Sequence, residues 1–232
     1  MIPVCIFTYA GDSLPIKECV RSVIAAGLFP VVCDDATNPL PRTAQGWIEQ
    51  SGAEYIQTTF TRRGNLNGTD CAAAIARTLH DAARRYGTAS AMKLDSDTIL
   101  IDPLPFLEGN VGVCSTAIDR RSSFGCCYAL TAITALEVAK ELEFGHFDPD
   151  APEDLAIWDS VARIQHPRTM HDFNPEQGAF SAVPIGSDPC DCARFFALTF
   201  GNKPLEGWKD RAFQVFQEMK RFNDHLERLS LA

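Results

Sequence analysis

The segment "AMKLDSDTILID", residues 91–102, sets Asp95 and Asp97 on either side of Ser96, where one apolar run ends and another begins. Carboxylates at the end of a buried strand lose hydration, so remaining charged there requires a cation, hydrogen-bond donors or a capping role. A hard divalent ion such as Mg²⁺ or Mn²⁺ is one such cation, taking one or two protein carboxylates while diphosphate oxygens complete its shell. The other reading makes either acid a cap on the turn before "PLPFL". The D-x-D spacing does not decide between them, because "FDPD" repeats it at Asp148 and Asp150 in a loop.

Position separates the two. "PVCIFTY" (3–9) is a short β-rich apolar run closed by "AGDS", and it reads as a first strand. Ser13 is the expected N-cap of a helix carrying Ile16, Val20, Val23 and Ile24 at helical spacing until Gly27. "PVVCDDATNP" (30–39) repeats the pattern as a second strand, "TAQGWIEQSG" fits a short helix, and "AEYIQTTF" a third strand. From a cap at Thr69 or Asp70, the residues Ala72, Ile75, Ala76, Leu79, Ala83 and Tyr86 form one apolar stripe that stops at Gly87. This helix leads into "SAMKLDSD", the fourth strand.

Short continuous apolar strands alternating with helices indicate an α/β fold with a doubly wound sheet covered on both faces. The second half is less regular and implies a mixed sheet. "VGVCSTA" and "FGCCYAL" read as strands, and "TAITALEVAKEL" and "PEDLAIWDSVARI" as helices. A terminal helix carries Trp208, Val215, Phe216, Met219, Phe222, Leu226 and Leu229. In open α/β sheets, ligands bind beyond the carboxyl ends of the strands. Thr8, Tyr9, Gly11 and Asp12 follow strand one, Asp34 and Asp35 follow strand two, Arg62 and Arg63 follow strand three, and Asp95 and Asp97 follow strand four. The polar residues of interest therefore gather on one edge.

With 46% hydrophobic and 22% charged residues, the 232-residue chain has the composition of an ordinary globular domain. Its net charge of −9 argues against nucleic acid or an anionic membrane surface as partner. No apolar run approaches the length of a spanning helix, and no basic residue precedes the first apolar stretch, so neither a membrane segment nor an export signal is expected. Most of the nine cysteines sit in apolar segments, as in a protein of the reducing cytoplasm. "PCDCA" and the adjacent Cys126 and Cys127 contain no C-x-x-C pair, which leaves a zinc site short of ligands.

The layout "CIFTYAGD", "VVCDDATN", "RRGNLNGTDCAAAIARTLHDAA", "AMKLDSDTIL" resembles a glycosyltransferase of the GT-A type, the nucleotide-diphospho-sugar transferase fold, and most of all its large inverting family. The resemblance implies one domain over residues 1–232, with a nucleotide-binding half at 1–103 and an acceptor-side half at 104–232. It implies that Thr8 and Tyr9 cup the nucleotide, that Asp34 or Asp35 contacts base or ribose, that Arg62 and Arg63 contact phosphate or base, and that Asp95 meets ribose or metal while Asp97 holds the metal, Mn²⁺ or Mg²⁺. "APEDLAIWDSVARI" is similar to the acidic pair that opens the acceptor-side helix, which would make Asp154, beside Glu153, the general base; first-turn acids also simply favour the helix dipole. His166 and His171 lie where metal-dependent relatives place a third ligand, His171 ahead because Asp172 could orient its ring. The implied activity is transfer of a sugar from a nucleotide diphosphate to a carbohydrate or other hydroxyl acceptor. A sugar-phosphate nucleotidyltransferase shares the fold, but "FTYAGDS" lacks its Gly-rich loop, and a non-catalytic nucleotide-sugar binder is the third reading.

Overall fold

β1 (Pro3–Thr8) is buried along its whole length because it lies between two parallel neighbours, β2 (Phe29–Asp34) and β4 (Ser90–Asp95). β3 (Glu54–Gln57) adds in parallel outside β2. On the other side β4 pairs antiparallel with β7 (Cys127–Thr131), followed by β6 (Val111–Gly112) and β8 (Arg168–Thr169). The order is β3-β2-β1-β4-β7-β6-β8, a mixed sheet in which the four strands of the first half of the chain run parallel, β7 is antiparallel to β4 and β6, and β8 pairs parallel with β6. A smaller sheet joins β5 (Thr98–Leu100), β10 (Phe195–Thr199) and β9 (Gly178–Ala182) in the order β5-β10-β9. This computed structural model describes residues 1–61, 68–103, 111–112, 126–145, 147–164, 168–169, 178–182, 186–192, 195–200 and 208–230.

The helices are α1 (Pro15–Ala25), α2 (Arg42–Gln50), α3 (Thr69–Arg85), α4 (Ala132–Phe144), α5 (Glu153–Ile164) and α6 (Trp208–Ser230). Side chains alternate across a strand, and here the alternation feeds two helical layers. Val4, Ile6, Val32, Met92 and Leu94 pack with Ile16, Val20 and Val23 of α1, Phe196 and Leu198 of β10, and Met219 and Phe222 of α6. Cys5, Phe7, Val31, Cys33 and Ala91 pack on the opposite face with Ile75 and Leu79 of α3, Val138 of α4 and Ile157 of α5. Each fully buried aliphatic side chain in these layers is worth ~1.5–3 kcal/mol. The sheet is doubly wound, as the alternation of strands and helices implies.

Two caps differ from expectation. Ser13 does not cap α1: a 3-10 turn at Ala10–Asp12 carries the chain straight into the helix, Leu14 takes the cap position and Pro15 the first helical one, where the missing N–H costs nothing. Thr69 begins α3 instead of capping it, because Gly68, at φ 107°, supplies the change of direction. Gly27 and Gly87 end their helices at φ 72° and 65°. At the other end of the chain, α6 docks on α1 through Arg21, whose Nε and Nη2 donate to Glu227 at 2.8 and 2.6 Å, and through Asn223, whose Nδ2 donates to the carbonyl and carboxylate of Glu18 at 2.9 Å. Among the described residues no helix is long and apolar enough to cross a membrane.

Candidate functional site

Three parallel strands end on one edge. Thr8 of β1 lies level with Asp34 of β2, and Asp95 of β4 is opposite Phe7, one residue lower. Strands stand about 4.8 Å apart, which puts Asp34 and Asp95 roughly 10 Å from each other across β1. Alternation then separates them further: Asp34 follows the parity of Val32 toward the α1 layer, whereas Lys93 and Asp95 share register with Cys5 and Phe7, on the side of α3, α4 and α5.

On that second face lies a buried charged cluster. The Lys93 side chain is 0% exposed, and its Nζ donates to Asp95 Oδ1 at 2.5 Å and stands 3.8 Å from Glu153 Oε2. Tyr128, the residue opposite Lys93 on β7, offers its ring to the ammonium at 5.7 Å and its hydroxyl to Glu153 Oε1. Burial alone would drive the Lys93 ammonium toward neutrality; the charges of Asp95 and Glu153 outweigh it and hold its pKa above the ordinary value. Glu153 shows the opposite balance. Burial pushes its carboxyl up to about 7, against the pull of Lys93 and Tyr128. The two shifts agree once distance is considered, because the ammonium sits on Asp95 and only near Glu153.

The D-S-D turn is held from several directions. The Asp95 N–H donates to the Cys126 carbonyl at 2.9 Å, and its own carbonyl accepts from the Cys19 thiol at 3.4 Å. Ser96 donates to Asp12 Oδ2 at 2.5 Å, which ties the turn after β4 to the turn after β1. Asp97 faces the smaller sheet: its Oδ1 accepts from the Thr199 hydroxyl at 3.2 Å, and its carbonyl accepts from the Phe200 N–H at 3.0 Å. The Asp95 side chain keeps 23% of its surface exposed, so a ligand at the edge can reach it.

At the β2 end, the two acids hold their own loop. Asp34 accepts from Asp35 N–H at Oδ1 and from Leu40 N–H and the Tyr55 hydroxyl at Oδ2, at 3.0, 2.8 and 2.6 Å; burial pushes its carboxyl up against those three donors. Asp35 Oδ1 accepts from the Thr37 N–H and hydroxyl and from the Asn38 N–H, an Asx turn. Neighbouring Thr8 is different: its hydroxyl is buried and has no hydrogen-bond partner in the described structure. Tyr9 folds its ring over Gly11, where a Cβ would meet the ring at 2.5–2.8 Å, so glycine is required for this side chain to lie down at the edge.

Of the acids at the start of α5, Glu153 joins the buried cluster, and Asp154 is half-buried and accepts from the Leu155 N–H at 3.0 Å. The structure thus joins Asp95 and Glu153 through Lys93 on one face, fastens Asp97 of the same turn to the smaller sheet, and turns Asp34 toward the α1 layer. Arg62, Arg63, His166 and His171 lie outside the described residues. Among the described residues no group of three or more His, Cys, Asp or Glu side chains is placed to hold a metal ion. Two carboxylates suit a hard divalent ion that takes most of its shell from ligand oxygens and water. Lys93, Tyr128 and Thr199 are the participants that sequence reasoning missed. Lys93 carried a signal, since a lysine inside a buried apolar strand must have a partner.

No family model and no curated protein matches the chain. Among solved structures it is similar to a glycosyltransferase involved in the glycosylation of the major capsid of PBCV-1, with a TM-score of 0.53 and 10% identity over 95% of this chain and 98% of that one. It is also similar to mannose-1-phosphate geranyltransferase from Thermus thermophilus, at a TM-score of 0.34 and 9% identity over 88% of this chain and 74% of that one. The first likeness, end to end at low identity, shows the fold: this mixed α/β architecture is one on which a glycosyltransferase is built.

Proposed function

We propose that residues 1–232 form one catalytic domain that transfers a sugar from a nucleotide diphosphate to an acceptor hydroxyl, with inversion and with Mn²⁺ or Mg²⁺ at Asp95 and Asp97. The observation that carries this reading is the link between the acids: the first turn of α5, with Glu153 and Asp154, is tied through Lys93 to Asp95 at the carboxyl edge of the sheet. Donor-side and acceptor-side carboxylates then share one edge, as a single displacement needs. Asp154 accepts the proton of the acceptor hydroxyl as its oxygen attacks the anomeric carbon opposite the diphosphate. The glycosyltransferase architecture found in the capsid-modifying protein supports the same class.

The test is a thermal-shift and calorimetric screen of nucleoside diphosphates and nucleotide sugars, with and without Mn²⁺, since a ligand of the folded state raises its apparent stability. Metal-dependent binding followed by release of nucleoside diphosphate supports sugar transfer. Transfer of the nucleotidyl group of a nucleoside triphosphate to a sugar phosphate, with pyrophosphate release, would instead mark a sugar-phosphate nucleotidyltransferase. Tight binding with no product after hours marks a binder without turnover.

A further inference from the structure

The structure assigns to Lys93 a role beyond holding the fold: it is a positioning residue that acts as the fixed internal cation of the donor-side carboxylate Asp95. The role follows from placement. Lys93 and Asp95 are two residues apart on β4, so their side chains share a face, and the ammonium, fully buried, takes Asp95 Oδ1 at 2.5 Å. The lysine cannot swing away into water, because Tyr128 covers it from β7 and Glu153 stands 3.8 Å away on α5. One oxygen of Asp95 is therefore committed, and Oδ2 is the one that remains for a ligand.

A divalent ion approaching Asp95 meets a carboxylate whose charge is already answered. Attraction between ion and carboxylate scales with net charge and is strong where solvent is scarce, so Lys93 weakens the grip of the empty site on a free ion. The ion is then held well only when it arrives with an anionic ligand that adds charge of its own, as a diphosphate does. This ordering rests on the transferase reading above; the effect of Lys93 on ion affinity does not.

The experiment measures Mn²⁺ binding to the nucleotide-free protein by titration calorimetry or by the electron paramagnetic resonance of unbound Mn²⁺. It uses wild type, K93M, D95N and the K93M/D95N double variant. Methionine keeps the length of the lysine stem without its charge. K93M is expected to bind Mn²⁺ at least about tenfold more tightly than wild type, from the size of a nearby unit charge in a half-buried site. D95N should change affinity little in the wild-type background and abolish the gain in the K93M background. A purely structural lysine would lower the melting temperature and leave Mn²⁺ affinity per folded molecule unchanged, and that result overturns the proposal, as does a D95N effect equal in both backgrounds. Should K93M fold poorly, K93M/E153Q, which removes the second buried carboxylate together with the cation, carries the same comparison. Failure of the transferase reading shows separately, as absence of nucleotide-sugar binding in wild type while the Mn²⁺ difference persists.

Discussion

The Tyr128 hydroxyl of β7 donates to Oε1 of Glu153 in the first turn of α5. Tyr128 also stands opposite Lys93 in the β4–β7 ladder, so one tyrosine ties the parallel half of the sheet to the helix that opens with the acidic pair. The consequence is measurable. Tyr128→Phe keeps the ring over the ammonium and removes the donor from a buried carboxyl, which should cost about 1–3 kcal/mol in urea unfolding. An unchanged midpoint would mean that Glu153 finds another donor.

Glu153 should make stability depend on pH. Its carboxyl rises from an ordinary 4.5 to about 7 in the folded protein, so the folded state favours the protonated form. The sign follows: the contribution is fully present below the unfolded value of 4.5 and is lost as pH rises through about 7. Lys93, with its pKa raised, remains charged across that window. Glu153→Gln mimics the protonated form and cannot ionise. Its melting temperature relative to wild type should therefore increase between pH 5 and pH 8.5. A difference that stays flat with pH would show that the folded carboxyl titrates normally.

Asp97→Asn keeps the side-chain size and a possible bond from Thr199 while removing the charge. Nucleoside diphosphate affinity in Mn²⁺ should fall by about tenfold or more, and chelation of the metal should lower wild-type affinity toward that of the variant. Calorimetry with and without chelator checks both. Equal wild-type affinity in chelator and in Mn²⁺ would remove the metal from this pair.

Asp154→Asn should lower the rate of transfer by about 10²–10⁴-fold, the range of a lost general base, with donor affinity near wild type. Steady-state transfer and donor titration are read together. Transfer at the wild-type rate would leave Asp154 as a first-turn acid and nothing more.

Thr8→Val tests the buried hydroxyl that has no partner. Replacing an unsatisfied buried hydroxyl by a methyl of the same shape is neutral or stabilising, by up to about 1–3 kcal/mol, so the ligand-free protein should melt at or above the wild-type temperature. Nucleotide affinity should fall if the hydroxyl serves the ligand. A variant that loses stability contradicts the assignment of Thr8 as unsatisfied.

The parallel half of the fold was legible in the sequence because β1, β2 and β4 are short apolar runs closed by Gly or Asp, and the helices between the strands show one apolar stripe each. The smaller sheet was not. "TIL" follows the D-S-D turn with no break in composition, yet Thr98–Leu100 leaves the main sheet and pairs with Phe195–Thr199. Nothing local announces a partner about a hundred residues away. The site divided in the same way. Asp95 and Asp97 could be placed from the end of their strand, but Asp34, expected at the ligand, is occupied by Leu40 and Tyr55, and Tyr55 comes from a different strand. Lys93 was hidden by its setting, since a charge amid "SAMKLD" gives no direction until alternation and a cross-strand neighbour are known.

The D-S-D turn also joins the two sheets. Asp95 is the last residue of β4, anchored by its N–H to Cys126, and Thr98 is the first of β5, while Asp97 is fastened to Thr199 and Phe200. Two carboxylates one residue apart are thus mounted on different platforms. Their spacing is governed less by the turn than by how Ile99, Phe196 and Leu198 seat the small sheet against the large one. A protein engineer wishing to alter the bite of this pair would leave the turn alone and repack the seam beneath it.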